Sequence, residues 1–122
     1  RRLRVAGRND MRDALFACGT PFHGKGDHKR ALAEIERVIA KTAGIRRFGA
    51  ASLDLAYVAA GRFDGYWERD LGIWDISAGA VLVREAGGTV NEVDGGDFMQ
   101  TGSVVAANAT LIASLTQTVR GG

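Results

Sequence analysis

The chain has 122 residues, an apolar fraction of 46% and a charged fraction of 25%, which suits one ordinary globular domain and leaves too little chain for two. A formal charge of +2 does not match a nucleic-acid-binding composition, and no apolar run is long enough to span a membrane as a helix. Cys18 is the only cysteine and cannot form an internal disulfide, and with His23 and His28 it cannot build a zinc site of the usual ligand count; the expected compartment is a reducing cytoplasm.

Arg1 to Gly7 is a short basic strand candidate, and Arg8, Asn9 and Asp10 read as a turn. Arg1, Arg2, Arg4, Arg8 and Arg12 offer a positive patch to a nucleic acid or a protein, but no aromatics are interleaved to stack on bases, and such residues usually form a solvated face. Ala14 to Cys18 is an apolar run of buried-strand length. Gly19 to Lys25 fits the first seven positions of a phosphate-binding P-loop, yet Gly26 stands where a magnesium-ligating hydroxyl is needed and Pro21 removes one backbone donor. The P-loop reading therefore fails on chemistry.

Asp27 is placed to cap a helix in which Leu32, Ile35, Val38 and Ile39 face inward while His28, Lys29, Arg30, Glu34, Arg37 and Lys41 face water, with Gly44 as its stop. Ile45 to Phe48 is a short strand, and Gly49 turns the chain into a helix over Ala50 to Ala60. Gly49, Ala50 and Ala51 are small enough for a ligand to approach the backbone, where free N–H groups of a helix start can donate to oxygens. Close packing of the helix would explain the same small residues.

Phe63 to Glu68 reads as a strand, Asp70 to Ile73 as a short connection, and Trp74 onward as a helix with Ile76, Ala80, Val83 and Ala86 inward and Gly87 and Gly88 as its stop. Asp75 at the start of that helix has two readings: an N-cap that satisfies free N–H groups, or a cation ligand. Glu68 at a strand end and Asp75 at the next helix start can both face the crevice at the carboxyl edge of a sheet, where open α/β folds hold ligands. Thr89 to Val93 is a strand, Asp94 to Asp97 a turn, Ser103 to Ala107 a buried strand, and Asn108 caps a last helix through Leu111, Ile112, Leu115 and Val119. Strands alternating with helices predict a layered αβα domain of the α/β class, whose strand order the pattern does not specify.

Gly49 to Gly61, Asp64 to Glu68, Trp74 to Gly79 and Val83 to Gly88 resemble the C-terminal signature of the inositol monophosphatase family, in order and spacing, over a span of about forty positions. The resemblance implies the C-terminal part of the sugar-phosphatase fold over residues 1–122, within a homodimeric, Mg²⁺-dependent inositol-phosphate phosphatase. It implies that Asp75 binds a catalytic metal, that Glu68 accepts hydrogen bonds from substrate hydroxyls, and that Gly49, Ala50 and Ala51 line the pocket. The paired-glutamate motif and the Asp-Pro-Ile-Asp-Gly-Thr-like motif of the family's N-terminal half, which supply most metal ligands and position the attacking water, are not in this sequence. The isolated chain is therefore expected to be inactive and to expose apolar surface where that half packs. Arg69 to Ile73 depart from animal members, so inositol phosphate, histidinol phosphate and other small phosphate monoesters all remain candidate substrates. The alternative is a non-catalytic interaction module for a protein or RNA partner, since some bacterial relatives bind transcription machinery.

Overall fold

The structure, a computed structural model, describes residues 3–19, 27–47 and 51–121, with the side chains of Ser52, Ile73 and Asp75 outside that description. Short apolar runs, too short for helices and buried on both faces, make most of the strands: β1 (Leu15–Cys18), β2 (Gly44–Arg46), β3 (Gly65–Glu68), β4 (Thr89–Glu92) and β5 (Val104–Ala107). They form one sheet in the order β2-β1-β3-β5-β4. β1 is parallel to β2 and β3, while β5 is antiparallel to both β3 and β4, so the chain directions of β1 to β4 agree and their carboxyl ends share one edge.

The period-two alternation of side chains splits the core between the two faces of the sheet. On one face Ala17, Tyr66, Val104 and Ala106 pack against Leu55 and Val58 of α2 (Ala51–Ala59) and Ile76, Ala80 and Val83 of α3 (Ile73–Glu85). On the other, Phe16, Cys18, Trp67, Val105 and Ala107 meet Val38 of α1 (His28–Ile39) and Leu115 and Val119 of α5 (Ile112–Arg120). The layered αβα arrangement is the one the sequence predicts. α2 and α3 approach closely at Gly79, where a Cβ would fall 2.6 Å from the Leu55 side chain. Their outer surface leaves Leu53, Val81 and Trp74 exposed, Trp74 by 88%, so these helices present apolar side chains to solvent.

Several predicted elements move. The described part of the expected first strand carries no ladder: Val5 N donates instead to Ala86 O at 3.1 Å, the carbonyl of the residue that caps α3. Two of the arginines suggested as a patch are paired, Arg8 Nε with Asp64 at 3.1 Å and Arg12 Nη2 with Asp10 at 2.8 Å. In α1 the cap is as predicted, with Asp27 Oδ1 accepting from Arg30 N at 3.0 Å, but Leu32 and Ile39 are exposed and Glu34 is buried. The inward row is Ala31, Glu34, Ile35 and Val38, at i, i+3, i+4 and i+7, and Leu32 and Ile39 lie one residue past it. α1 stops at Ile39, and Gly44 opens β2 rather than ending the helix.

A four-residue helix, α4 (Phe98–Thr101), was not legible because one turn shows no periodicity; Asp97 caps it, its carboxylate accepting from Met99 N at 2.9 Å. Asn108 caps the turn ahead of α5 rather than α5 itself: its Oδ1 accepts from Leu111 N at 2.8 Å, and Leu111 is the residue that precedes the helix.

Gly102 closes α4 at φ 74°, and a Cβ there would fall 2.2 Å from the Leu71 carbonyl oxygen. Gly87 follows α3 at φ 89° with open space around it. Gly87→Ala should cost about 1 kcal/mol, the left-handed penalty alone. Gly102→Ala should cost about 3 kcal/mol or more in a urea titration, because backbone must also move; equal losses would contradict the close approach.

Candidate functional site

The site follows from how the chain leaves the sheet. β1 leads toward α1 on one face and on to β2, whereas its neighbour β3 leads to α3 on the opposite face and on to β4 on the far side. Adjacent parallel strands whose connections diverge in this way open a crevice at their carboxyl ends, the place where open α/β sheets bind ligands. Gly19, the residue after β1, and Glu68, the last of β3, stand at that crevice, with Gly19 N donating to Trp67 O at 3.3 Å.

Glu68 and Tyr66 are two apart in β3 and so share the α2/α3 face of the sheet. The fully buried Tyr66 donates its hydroxyl proton to Glu68 Oε1. A Cβ built on Gly19 would lie 1.9 Å from the Glu68 carboxyl carbon, so the carboxylate occupies the room that any larger residue at 19 would fill. Burial, with Glu68 alongside, pushes the Tyr66 phenol well above its ordinary value, so it is a hydrogen-bond donor at every physiological pH. Burial likewise pushes the Cys18 thiol up to about 12, which removes it as a nucleophile.

The connection from Glu68 to α3 is clamped. Arg69 Nε donates to Glu34 Oε2 at 2.8 Å and its Nη1 to Asp94 Oδ2 at 2.7 Å, joining α1, the end of β3 and the turn after β4. Arg69, through that hydrogen bond, holds the Asp94 carboxyl below its usual range. Leu71 N donates to Gly102 O at 2.9 Å, and Asp70 adopts φ 60°. The connection delivers Asp75 as the third residue of α3; the N-cap is Gly72, which makes no side-chain cap. The N-cap reading of Asp75 is therefore corrected, since the helix begins at Ile73, one residue earlier than the sequence pattern places it, and Gly72 holds the N-cap position.

Of the other expected pocket residues, Ala51 is the first residue of α2 and is buried, and Gly49 and Ala50 lie outside the described residues, as do positions 20–26 of the P-loop-like stretch. α2 and α3 each start at the carboxyl edge of the sheet, so Ala51, Glu68 and Asp75 belong to one end of the domain. The sequence reading missed Asp54, in the first turn of α2. It is fully buried, neither carboxylate oxygen has a partner among the described residues, and burial pushes it up to about 6. A signal was present: Asp54 is the one charged residue in the otherwise apolar run of α2.

Among the described residues no group of three or more His, Cys, Asp or Glu is placed to hold a metal ion. A groove of about 460 Å³ runs along the outer strand β4, lined by Arg84, Val90, Glu92, Phe98 and Arg120, and includes none of the predicted site residues.

The raised Asp54 gives a pH signature. A carboxyl pushed up to about 6 binds its proton more tightly folded than unfolded, so its contribution is full below about pH 4 and is lost as pH rises toward 6. Relative to Asp54→Asn, the unmodified chain should lose on the order of 2 kcal/mol of stability between pH 4 and pH 7. Denaturant titrations of both chains across that range check it, and a flat difference would mean that Asp54 is ionised without penalty.

Comparison with known proteins agrees with this architecture. The sequence model described as the inositol monophosphatase family matches residues 1–120. The inositol-1-monophosphatase of Mesorhizobium japonicum is 52% identical over 121 residues, which is 98% of this chain and 46% of that protein. The Nus factor SuhB of Pseudomonas aeruginosa is 46% identical over 123 residues, 98% of this chain and 45% of that protein. The crystal structure of the extragenic suppressor protein suhB from Bartonella henselae superposes with a TM-score of 0.94 at 45% identity, covering 100% of this chain and 48% of that one. The chain thus spans about half the length of the relatives that it matches, and over that span it belongs to the inositol monophosphatase family.

Proposed function

We propose that this chain forms part of the active site of a Mg²⁺-dependent phosphatase that releases phosphate from inositol monophosphate or a related small phosphate monoester. The observation that supports it is the seat of Glu68 at the diverging ends of β1 and β3, over Gly19, at the same end of the domain as the starts of α2 and α3. In this reading Glu68 accepts hydrogen bonds from substrate hydroxyls and orients the ring, and Gly49, Ala50 and Ala51 bring the backbone of the α2 start close to substrate oxygens. A carboxylate that fixes the hydroxyls also fixes the direction in which the phosphoryl group leaves.

Asp75 fits Mg²⁺ by donor chemistry, since hard cations take carboxylate oxygens and share the remaining positions with water and phosphate. In this reading the stretch contributes the Asp75 carboxylate to a metal site that other groups complete. When bound, Mg²⁺ supplies charge neutralisation at the phosphate and an acidified water. The isolated chain is accordingly inactive in this reading, and the working protein is a cytoplasmic homodimer.

The second reading is a non-catalytic interaction module, favoured by the name Nus factor borne by the Pseudomonas aeruginosa relative. Kinetics on the family-length protein that carries this stretch separate the two. Glu68→Gln weakens a charged hydrogen bond worth about 1.5 to 3 kcal/mol, so kcat/KM should fall by roughly 10- to 100-fold, chiefly through KM. Asp75→Asn should lower kcat much further and raise the Mg²⁺ concentration for half activity, because the charge that it helps to stabilise develops in the transition state. Unchanged activity and Mg²⁺ dependence in Asp75→Asn would remove the metal assignment, and an inactive family-length protein would leave the interaction module.

A further inference from the structure

We propose that Tyr66 is a positioning residue for Glu68, its buried hydroxyl holding the carboxylate in the one orientation from which it meets substrate hydroxyls; the inference rests on the reading of Glu68 given above. Glutamate on a strand end ordinarily samples several rotamers and loses that freedom when a ligand binds. Here two features remove it in advance. Tyr66 is fully buried, with its ring in the core formed with Leu55 and Ile76, so the hydroxyl that donates to Glu68 Oε1 is itself fixed. Gly19 supplies the second: the carboxylate rests where a Cβ at 19 would lie at 1.9 Å, so the backbone after β1 bounds it from the neighbouring strand.

A carboxylate has acceptor capacity beyond one phenol, so the bond from Tyr66 orients Glu68 without exhausting it. The phenol is held neutral by burial beside Glu68, so it keeps the proton that it donates to the carboxylate. Asp54, the buried carboxyl of the first turn of α2, acts on Tyr66 in the same sense.

The test is a double-mutant cycle on the family-length protein, with inositol monophosphate as substrate. Tyr66→Phe keeps the ring and removes only the donor, and should raise KM about 3- to 10-fold with kcat within about twofold. In a Glu68→Ala background the same change should have no further effect on KM, because nothing remains to be positioned. An equal effect in both backgrounds would mean that Tyr66 acts through general structure, and no effect in either would remove its role while leaving Glu68 in place. Glu68→Ala is read first: an unaltered KM there rejects the reading of Glu68, and the positioning role with it. A readout independent of turnover comes from the same family-length protein, in which the Tyr66 hydroxyl proton should give a slowly exchanging NMR resonance that is lost in Glu68→Ala. Absence of that resonance from the unmodified protein would overturn the bond on which the inference stands.

Discussion

A guanidinium that is only 12% exposed must have its charge answered on the spot, and the Arg69 pairing with Glu34 is the constraint on which the carboxyl edge of this sheet depends. Both charges leave water, so the pair is stable only while the hydrogen bonds are complete, and breaking one partner strands the other. Asp94 completes the set from the turn after β4. Three elements far apart in sequence, at 34, 69 and 94, are thereby fixed relative to one another. Because Arg69 is covalently next to Glu68, whatever holds the guanidinium also fixes the strand end that carries the candidate substrate-binding carboxylate.

The acidic groups near this edge are handled in three ways, and the difference is informative. Glu92 is buried but surrounded by donors, Thr101 Oγ1 at 2.8 Å and Gly96 N at 3.2 Å with the Asp94 amide; burial alone would raise its carboxyl, and these donors outweigh it and hold the group below its ordinary value. Such a carboxylate is committed to structure. Glu68 instead takes a phenol from within the core and sits at the crevice between diverging strands. Asp54 is buried without a described partner and keeps its proton to a higher pH, which makes it the group whose titration reports on the interior beneath the site.

The helix layers differ for a related reason. Apart from the buried Glu34, α1 places its charge outward and a narrow row inward, as a helix does when it covers one face of a sheet and meets water on the other. α2 and α3 carry apolar residues around most of their circumference, with Leu55 and Ile76 in the core and Leu53, Trp74 and Val81 outside. A helix of that kind is soluble only through its ends and neighbours, and the close contact at Gly79 makes the two helices a single packed layer rather than independent covers.

Much of the architecture was legible from residue order because short-range physics decides it. Continuous apolar runs located β1 and β5, and alternating ones β3 and β4, within a residue or two, Asp27 announced its helix, and Gly87 and Gly88 the end of α3. The residue pattern placed Glu68 at a strand end and Asp75 at the start of the following helix; β3 ends on Glu68, and Asp75 is the third residue of α3. What residue order could not supply were relations between distant segments. Nothing local to Glu34 distinguishes it from a solvated helix residue, and it is buried only because Arg69 arrives from 35 positions away. Leu32 and Ile39 looked inward on hydrophobicity alone, but the sheet lies one residue's rotation away from them. The divergence of β1 and β3 that creates the crevice is a property of strand order, and strand order is set by which edges pair once the chain has folded. In one dimension Gly19 only opens a stretch that fits a phosphate loop by spacing and fails by chemistry; in three its missing side chain is the space that Glu68 fills, because only tertiary packing brings the two strand ends together.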